Sequence, residues 1–116
     1  MVVDDEPSIG KAVHRVLSGE HEIIALQSGE VALRRIATGE RFDVILCDLL
    51  MPQMTGMDFH AELLKVAPDQ ADNLIFLTGG AFTPRARSFL AEMPNQRIEK
   101  PFDPIHLRAL INDRIR

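Results

Sequence analysis

Asp4 and Asp5 close the apolar run MVV. Asp48 closes VILC, Thr78 closes LIFL, and Lys100 closes the short stretch QRIE. An ionised carboxylate at the end of a buried run is costly unless something offsets its charge. Three carboxylates gathered in one place repel, and ordinarily one of them takes up a proton. A divalent cation removes that problem. Two carboxylates, a backbone carbonyl and retained waters make a typical Mg²⁺ set. Lys100 adds a point positive charge and Thr78 a hydroxyl donor. An anion that needs Mg²⁺, an ammonium and a hydroxyl together is a phosphoryl group. A carboxylate can itself be the nucleophile and form an aspartyl-phosphate. Asp48 is the best candidate nucleophile, because it is central and its loop, LLMPQMTG, is shaped by Pro52 and Gly56.

These residues can meet only if the strands that carry them run the same way. Short apolar runs alternate with helical patterns along the chain. Ile9, Ala12, Val13, Val16 and Leu17 repeat on one helical face, with Pro7 in its first turn and Gly19 at its end. EIIAL (22–26) reads as a strand. Ser28 caps a helix carrying Ala32, Leu33, Ile36 and Ala37, closed by Gly39. FDVILC (42–47) is a third strand. A helix over about 57–67 carries Phe59, Leu63, Leu64 and Ala67 and ends at Pro68. NLIFLT (73–78) is a fourth strand. Thr83-Pro84 starts a helix with Ala86, Phe89, Leu90 and Met93 on one face. QRIEK (96–100) is a fifth strand. Asp103-Pro104 starts a last helix whose Leu107, Leu110, Ile111 and Ile115 face inward.

Strict alternation of five strands and five helices predicts a parallel sheet covered on both faces. Strands buried on both sides should be continuously apolar, as VILC and LIFL are. Five strands are too few for an eight-fold barrel. The expected fold is α/β, a flavodoxin-like doubly wound sheet in the order 2-1-3-4-5. In such sheets sites form beyond the carboxyl ends of the strands, where Asp4, Asp5, Asp48, Thr78 and Lys100 all stand.

The 116 residues suit one domain spanning 1–116. The first strand has almost no lead-in and reads as clipped. Apolar residues make up 46%, which argues against disorder. Net charge is −4, with no Trp or Tyr, which disfavours a phosphate-backbone binder or a base-stacking platform. The clusters RRIATGER and PRAR read as solvated helix faces. Cys47 allows no internal disulfide and no Cys-based zinc site, and reads as a small core residue. No run approaches the roughly 20 apolar residues of a membrane span, and no signal peptide is visible. A reducing cytoplasm fits. Met51, Met54 and Met57 read as packing. His14, His21, His60 and His106 read as surface or boundary residues.

VVDDEPS, CDLLMPQMTG, LTGG and EKPF, in that order, resemble the motifs of receiver domains of two-component response regulators. The resemblance covers essentially the whole chain. Any one motif is weak, but four together, each at a strand end, are specific. The resemblance implies that Asp48 is the phospho-acceptor and Asp5 a direct Mg²⁺ ligand, with Asp4 supporting it through water. It implies the backbone carbonyl of Leu50 as a third protein ligand, Thr78 as a switch hydroxyl, Lys100 as the phosphate-contacting amine, and a cis Lys100-Pro101 bond. The implied donor is the phosphohistidine of a sensor histidine kinase or histidine phosphotransfer protein. A homodimer is a further expected partner, and this domain is expected to contact no nucleic acid and no membrane. Such a domain catalyses only its own phosphorylation and dephosphorylation. Phosphorylation would shift the surface around the last two helices and the fifth strand.

Where the family usually has Tyr or Phe three residues before the Lys, this chain has Arg97, so the aromatic rotamer switch in its usual form is absent. Leu50 and Gly80, two residues after Asp48 and Thr78, carry no group to orient an attacking water, which predicts slow self-dephosphorylation. LTGGAFTPRARSFL and RIEKPFDP read like receivers fused to sensor histidine kinases. A hybrid kinase is the expected parent, itself anchored to a membrane in some arrangements, with a stand-alone regulator as the next reading. Two other classes stay open. An aspartyl-nucleophile phosphatase usually has a second acid two residues after the nucleophile, where this chain has Leu50. A pseudo-receiver interaction module usually lacks one of the acids, the Thr or the Lys, and all are here.

Overall fold

Each helix begins where local chemistry starts it. The computed structural model describes residues 1–79 and 83–115. Pro7 and Pro84 open α1 (Pro7–Leu17) and α5 (Pro84–Glu92), at positions where a missing N–H leaves no hydrogen bond unmade. The Ser28 hydroxyl accepts from the Val31 amide to cap α2 (Gly29–Ala37). Gly39, with φ of 110°, turns the chain out of it. Thr55 and Asp58 form a reciprocal capping box on α3 (Gly56–Val66), which the sequence signals by a Thr followed three residues later by an acid. The Asp103 carboxylate accepts from the Ile105 amide at 2.9 Å at the start of α6 (Pro104–Ile115).

Between the helices run β1 (Val2–Val3), β2 (Ala25–Leu26), β3 (Ile45–Asp48), β4 (Leu74–Thr78) and β5 (Arg97–Glu99). All pairings are parallel, in the order β2-β1-β3-β4-β5. This is the flavodoxin-like arrangement expected from the alternation. Successive strand residues point to opposite faces, and the core divides accordingly. Val3, Ile45, Cys47, Leu74 and Phe76 face the cluster built with α2, α3 and α5. Val2, Leu46, Ile75 and Leu77 face the cluster built with α1 and α6. Cys47 is a buried core residue, and Met51 and Met57 pack in the core, as expected.

Four expectations need correction. The strands are shorter than their apolar runs. The run 22–26 pairs with β1 only at Ala25 and Leu26. Pro68 does more than end a helix: it opens a further short one, α4 (Pro68–Ala71), whose buried Gln70 accepts from the Phe42 amide. Leu64 and Ile115 are exposed, at 50% and 38%. The buried side of α3 is set by Phe59, His60 and Leu63, which turns Leu64 outward. His60 is not a surface residue. It is 8% exposed, with ring centroids 5.6 Å from Phe89 and 6.2 Å from Phe76, and burial lowers its pKa.

The basic clusters are solvated, as expected. Arg35 pairs with Glu40 at 2.9 Å, Arg41 with Asp69 at 3.0 Å and Arg85 with Asp58 at 3.2 Å, all at partly exposed positions. Among the described residues no helix is long and apolar enough to cross a membrane.

Candidate functional site

Parallel pairing carries the strand ends to one edge. The Asp4 amide donates to the Leu26 carbonyl, Leu49 to Leu77, and Lys100 to Thr78 at 2.7 Å. β1, β3, β4 and β5 therefore deliver Asp4, Asp48, Thr78 and Lys100 to the same rim, and Asp5 follows Asp4 on the loop into α1.

Carboxylate oxygens of Asp4, Asp5 and Asp48 all lie within 4.8 Å of one another. Asp4 and Asp48 are buried, at 2% and 5% exposure, while Asp5 reaches solvent. Lys100 stands among them. Its ammonium donates to Asp4 Oδ2 at 2.9 Å and lies 3.5 Å from Asp48 Oδ2. The fully buried Thr78 hydroxyl has no hydrogen-bond partner among the described residues. The Leu50 amide points to Asp48 Oδ1 at 3.4 Å, and the Leu50 side chain is exposed. The Lys100-Pro101 bond is cis. Gly80 lies outside the described residues.

The electrostatics follow from crowding. Burial, and then the charge of Asp4, push the Asp48 carboxyl up to about 6, and Lys100 only partly offsets them. Burial works against the Lys100 charge. The hydrogen bond to Asp4 and the charges of Asp48, Asp4 and Glu6 outweigh it and raise its pKa. One ammonium faces three close carboxylates, which leaves a site of hard, negatively charged oxygens. That donor set fits a small divalent cation.

Glu6, 3.8 Å from Lys100, was missed from sequence, although its place beside Asp4-Asp5 was a signal. So was the backbone of Gln53, which has φ of 68°, a left-handed conformation in the loop after Asp48. Gly56 is fixed by close approach. A Cβ there would lie 2.7 Å from the Asp48 carbonyl oxygen and 2.8 Å from Leu49 Cα. Backbone cannot yield as a flexible side chain can. Gly56→Ala is therefore expected to destabilise the fold by about 1–3 kcal/mol, although Ala is ordinarily the better helix residue. Urea unfolding checks this, and an unchanged or raised midpoint would refute it.

Comparison with known proteins points the same way. A family model described as response regulator receiver domain matches residues 1–112. The transcriptional regulatory protein GlrR of Escherichia coli K12 is 31% identical over 114 residues, covering 97% of this chain and 25% of that protein. The chain thus spans about a quarter of that relative's length. A response regulator receiver domain protein from Clostridium thermocellum superposes with a TM-score of 0.81 at 29% identity, over 98% of this chain and 90% of that one. A receiver domain of a sensor histidine kinase from Pseudomonas aeruginosa PAO1, described with magnesium in its active site cleft, shares the fold. Its TM-score is 0.82 at 23% identity, over 98% and 93% of the two chains.

Proposed function

Because the chain belongs to the response regulator receiver domain family, we propose that it accepts a phosphoryl group on Asp48 from the phosphohistidine of a sensor histidine kinase or a histidine phosphotransfer protein. The observation that carries this reading is the Asp48 carboxylate itself. It is buried at a strand end, crowded by Asp4, and faced by Lys100 at 3.5 Å.

An Asp48 carboxylate oxygen attacks phosphorus in line, and the bond from phosphorus to the donor imidazole nitrogen breaks. The imidazole leaves with the electron pair and takes up a proton. Lys100 balances charge on the transferring oxygens from its place beside Asp48. Its hydrogen bond to Asp4 holds the ammonium in position. Asp4, Asp5, Asp48 and the Leu50 carbonyl would hold Mg²⁺, which when bound neutralises charge on the phosphoryl oxygens. The Thr78 hydroxyl, without a partner among the described residues, donates to a phosphoryl oxygen once one is present. That new bond draws the end of β4 inward and shifts the equilibrium of the α5, β5 and α6 surface. Arg97 is exposed on β5, so this coupling runs without an aromatic side chain at that position.

A hybrid histidine kinase is the proposed parent. A transcriptional regulator is the second reading, favoured by the relative GlrR. The cytoplasm is the proposed location of the domain in both.

Intact mass after incubation with acetyl phosphate and Mg²⁺ tests the reading. One added phosphoryl group, lost when EDTA replaces Mg²⁺, is expected. No gain, with Mg²⁺ binding confirmed separately, would favour a non-phosphorylated interaction module. The phosphorylated form is further expected to be long-lived, because the exposed aliphatic Leu50 cannot orient an attacking water. A half-life of seconds after donor removal would contradict that.

A further inference from the structure

His60 is a buried titratable group that the chemistry at Asp48 does not use. Its ring centroid lies 6.2 Å from that of Phe76 on β4 and 5.6 Å from that of Phe89 on α5, the latter in an edge-to-face contact at 79°. Phe76 and Phe89 also meet edge to face, at 5.4 Å and 81°. The three rings close into one cluster between α3, β4 and α5. Phe76 stands two residues before Thr78, on the same side of the strand.

The charges around this cluster are engaged elsewhere. On α3, Asp58 pairs with Arg85 of α5 at 3.2 Å, and Glu62 with Lys65 at 3.3 Å. Arg87 and Glu92 of α5 are exposed, and β4 carries no charged residue. Burial, with no charged partner, lowers the His60 pKa.

The two helices that hold the ring are anchored unequally. α3 buries Gly56, Met57, Phe59, His60 and Leu63. α5 fully buries only Ala86 and Leu90, with Phe89 and Met93 partly buried against the same core. The Arg85–Asp58 pair is largely exposed and adds little. Phe89 is therefore a large part of what holds α5 down, and it rests on His60.

We propose that His60 is an acid-operated release for α5: when the imidazole takes up a proton, the cation is no longer accommodated between Phe76 and Phe89, and α5 lifts to let it reach water. An ordinary histidine is half-protonated near about pH 6.5. With its folded value below that, the stability His60 contributes is complete above about pH 6.5 and is lost as pH falls through the folded value. On the reading of Asp48 given above, α5 belongs to the surface that phosphorylation shifts, so mild acid biases that surface with no phosphoryl group present.

Hydrogen exchange in EDTA at about pH 7.5 and about pH 5.5 tests the release in wild type, Asp48→Asn, His60→Gln and His60→Phe. Asp48→Asn removes another group that titrates in this range and leaves no phospho-acceptor, so the outcome does not depend on phosphorylation. Protection at the Phe89 and Leu90 amides, corrected for intrinsic exchange, is expected to fall about three- to tenfold at the lower pH in wild type and Asp48→Asn. Protection at Ala32 and Ile36 of α2 is expected to change far less. Both His60 variants are expected to keep their α5 protection at the lower pH. An unchanged wild type would overturn the proposal, as would an equal loss at α2 or in both His60 variants. A loss missing from Asp48→Asn would assign the effect to Asp48 instead. A His60 ring that titrates in the folded chain at or above its value in urea would also overturn it, since the two Phe rings would then be holding the cation.

Discussion

Asp48→Asn is expected to abolish phosphoryl acceptance and, at neutral pH in metal-free buffer, to stabilise the fold by about 1–3 kcal/mol. The first effect follows from removing the nucleophile, since a carboxamide cannot form the aspartyl-phosphate. The second follows from what burial and Asp4 do to this carboxyl, which is raised from 3.8 to about 6. A folded-state pKa raised by about two units is worth roughly 3 kcal/mol against the ionised form, and Asn forgoes part of the Lys100 interaction. Between pH 4 and 6 the folded chain binds more protons at Asp48 than the unfolded chain does. Wild-type stability contributed by this group therefore falls as pH rises through that window, and Asp48→Asn removes the slope. Intact mass reads the first effect, and urea midpoints with EDTA between pH 4 and 7.5 read the second. A phosphoryl gain surviving in Asp48→Asn would move the acceptor elsewhere. A destabilised variant at pH 7 would show that Lys100 outweighs burial and Asp4 in setting the charge of Asp48.

Lys100→Met is expected to act in the opposite direction on stability. The side chain is 13% exposed and serves Asp4 at 2.9 Å, Asp48 at 3.5 Å and Glu6 at 3.8 Å. A methionine keeps the length and apolar stem but leaves two buried carboxylates without their cation. Breaking a buried pair from one side typically costs about 3–5 kcal/mol. The loss is expected near the low end of that range at pH 5, where Asp48 takes up a proton, and larger at pH 7.5. Added Mg²⁺ should restore part of it by taking over the charge balance. Phosphoryl acceptance from acetyl phosphate should fall about 10²–10³-fold, the usual cost of one lost electrostatic contact to a developing charge. A variant as stable as wild type at pH 7.5 without metal would contradict the ion-pair account. A variant destabilised but phosphorylated at the wild-type rate would confine Lys100 to a structural role.

Local chemistry made much of this protein legible from its residues alone. Ser28, Thr83 and Asp103 cap helices because a cap needs only its own side chain and the next turn. Continuous apolar runs announced a sheet buried on both faces. Strict alternation with helices then implied parallel strands, and with them a common rim for Asp4, Asp5, Asp48, Thr78 and Lys100. Only the tertiary structure decided what those residues do to one another. Lys100 hydrogen-bonds Asp4 and merely approaches Asp48, a choice that depends on the positions of three strand ends far apart in sequence. Gly56 is required by the carbonyl of Asp48 across a turn, and no local preference of either residue contains that distance. His60 is buried because α5 brings Phe89 over it, whereas its own helix shows only a polar residue beside an apolar stripe. Residue types determine which elements form and which chemistry is available. Distances between elements determine which charge meets which, because Coulomb energy and burial depend on separation in space rather than on order along the chain.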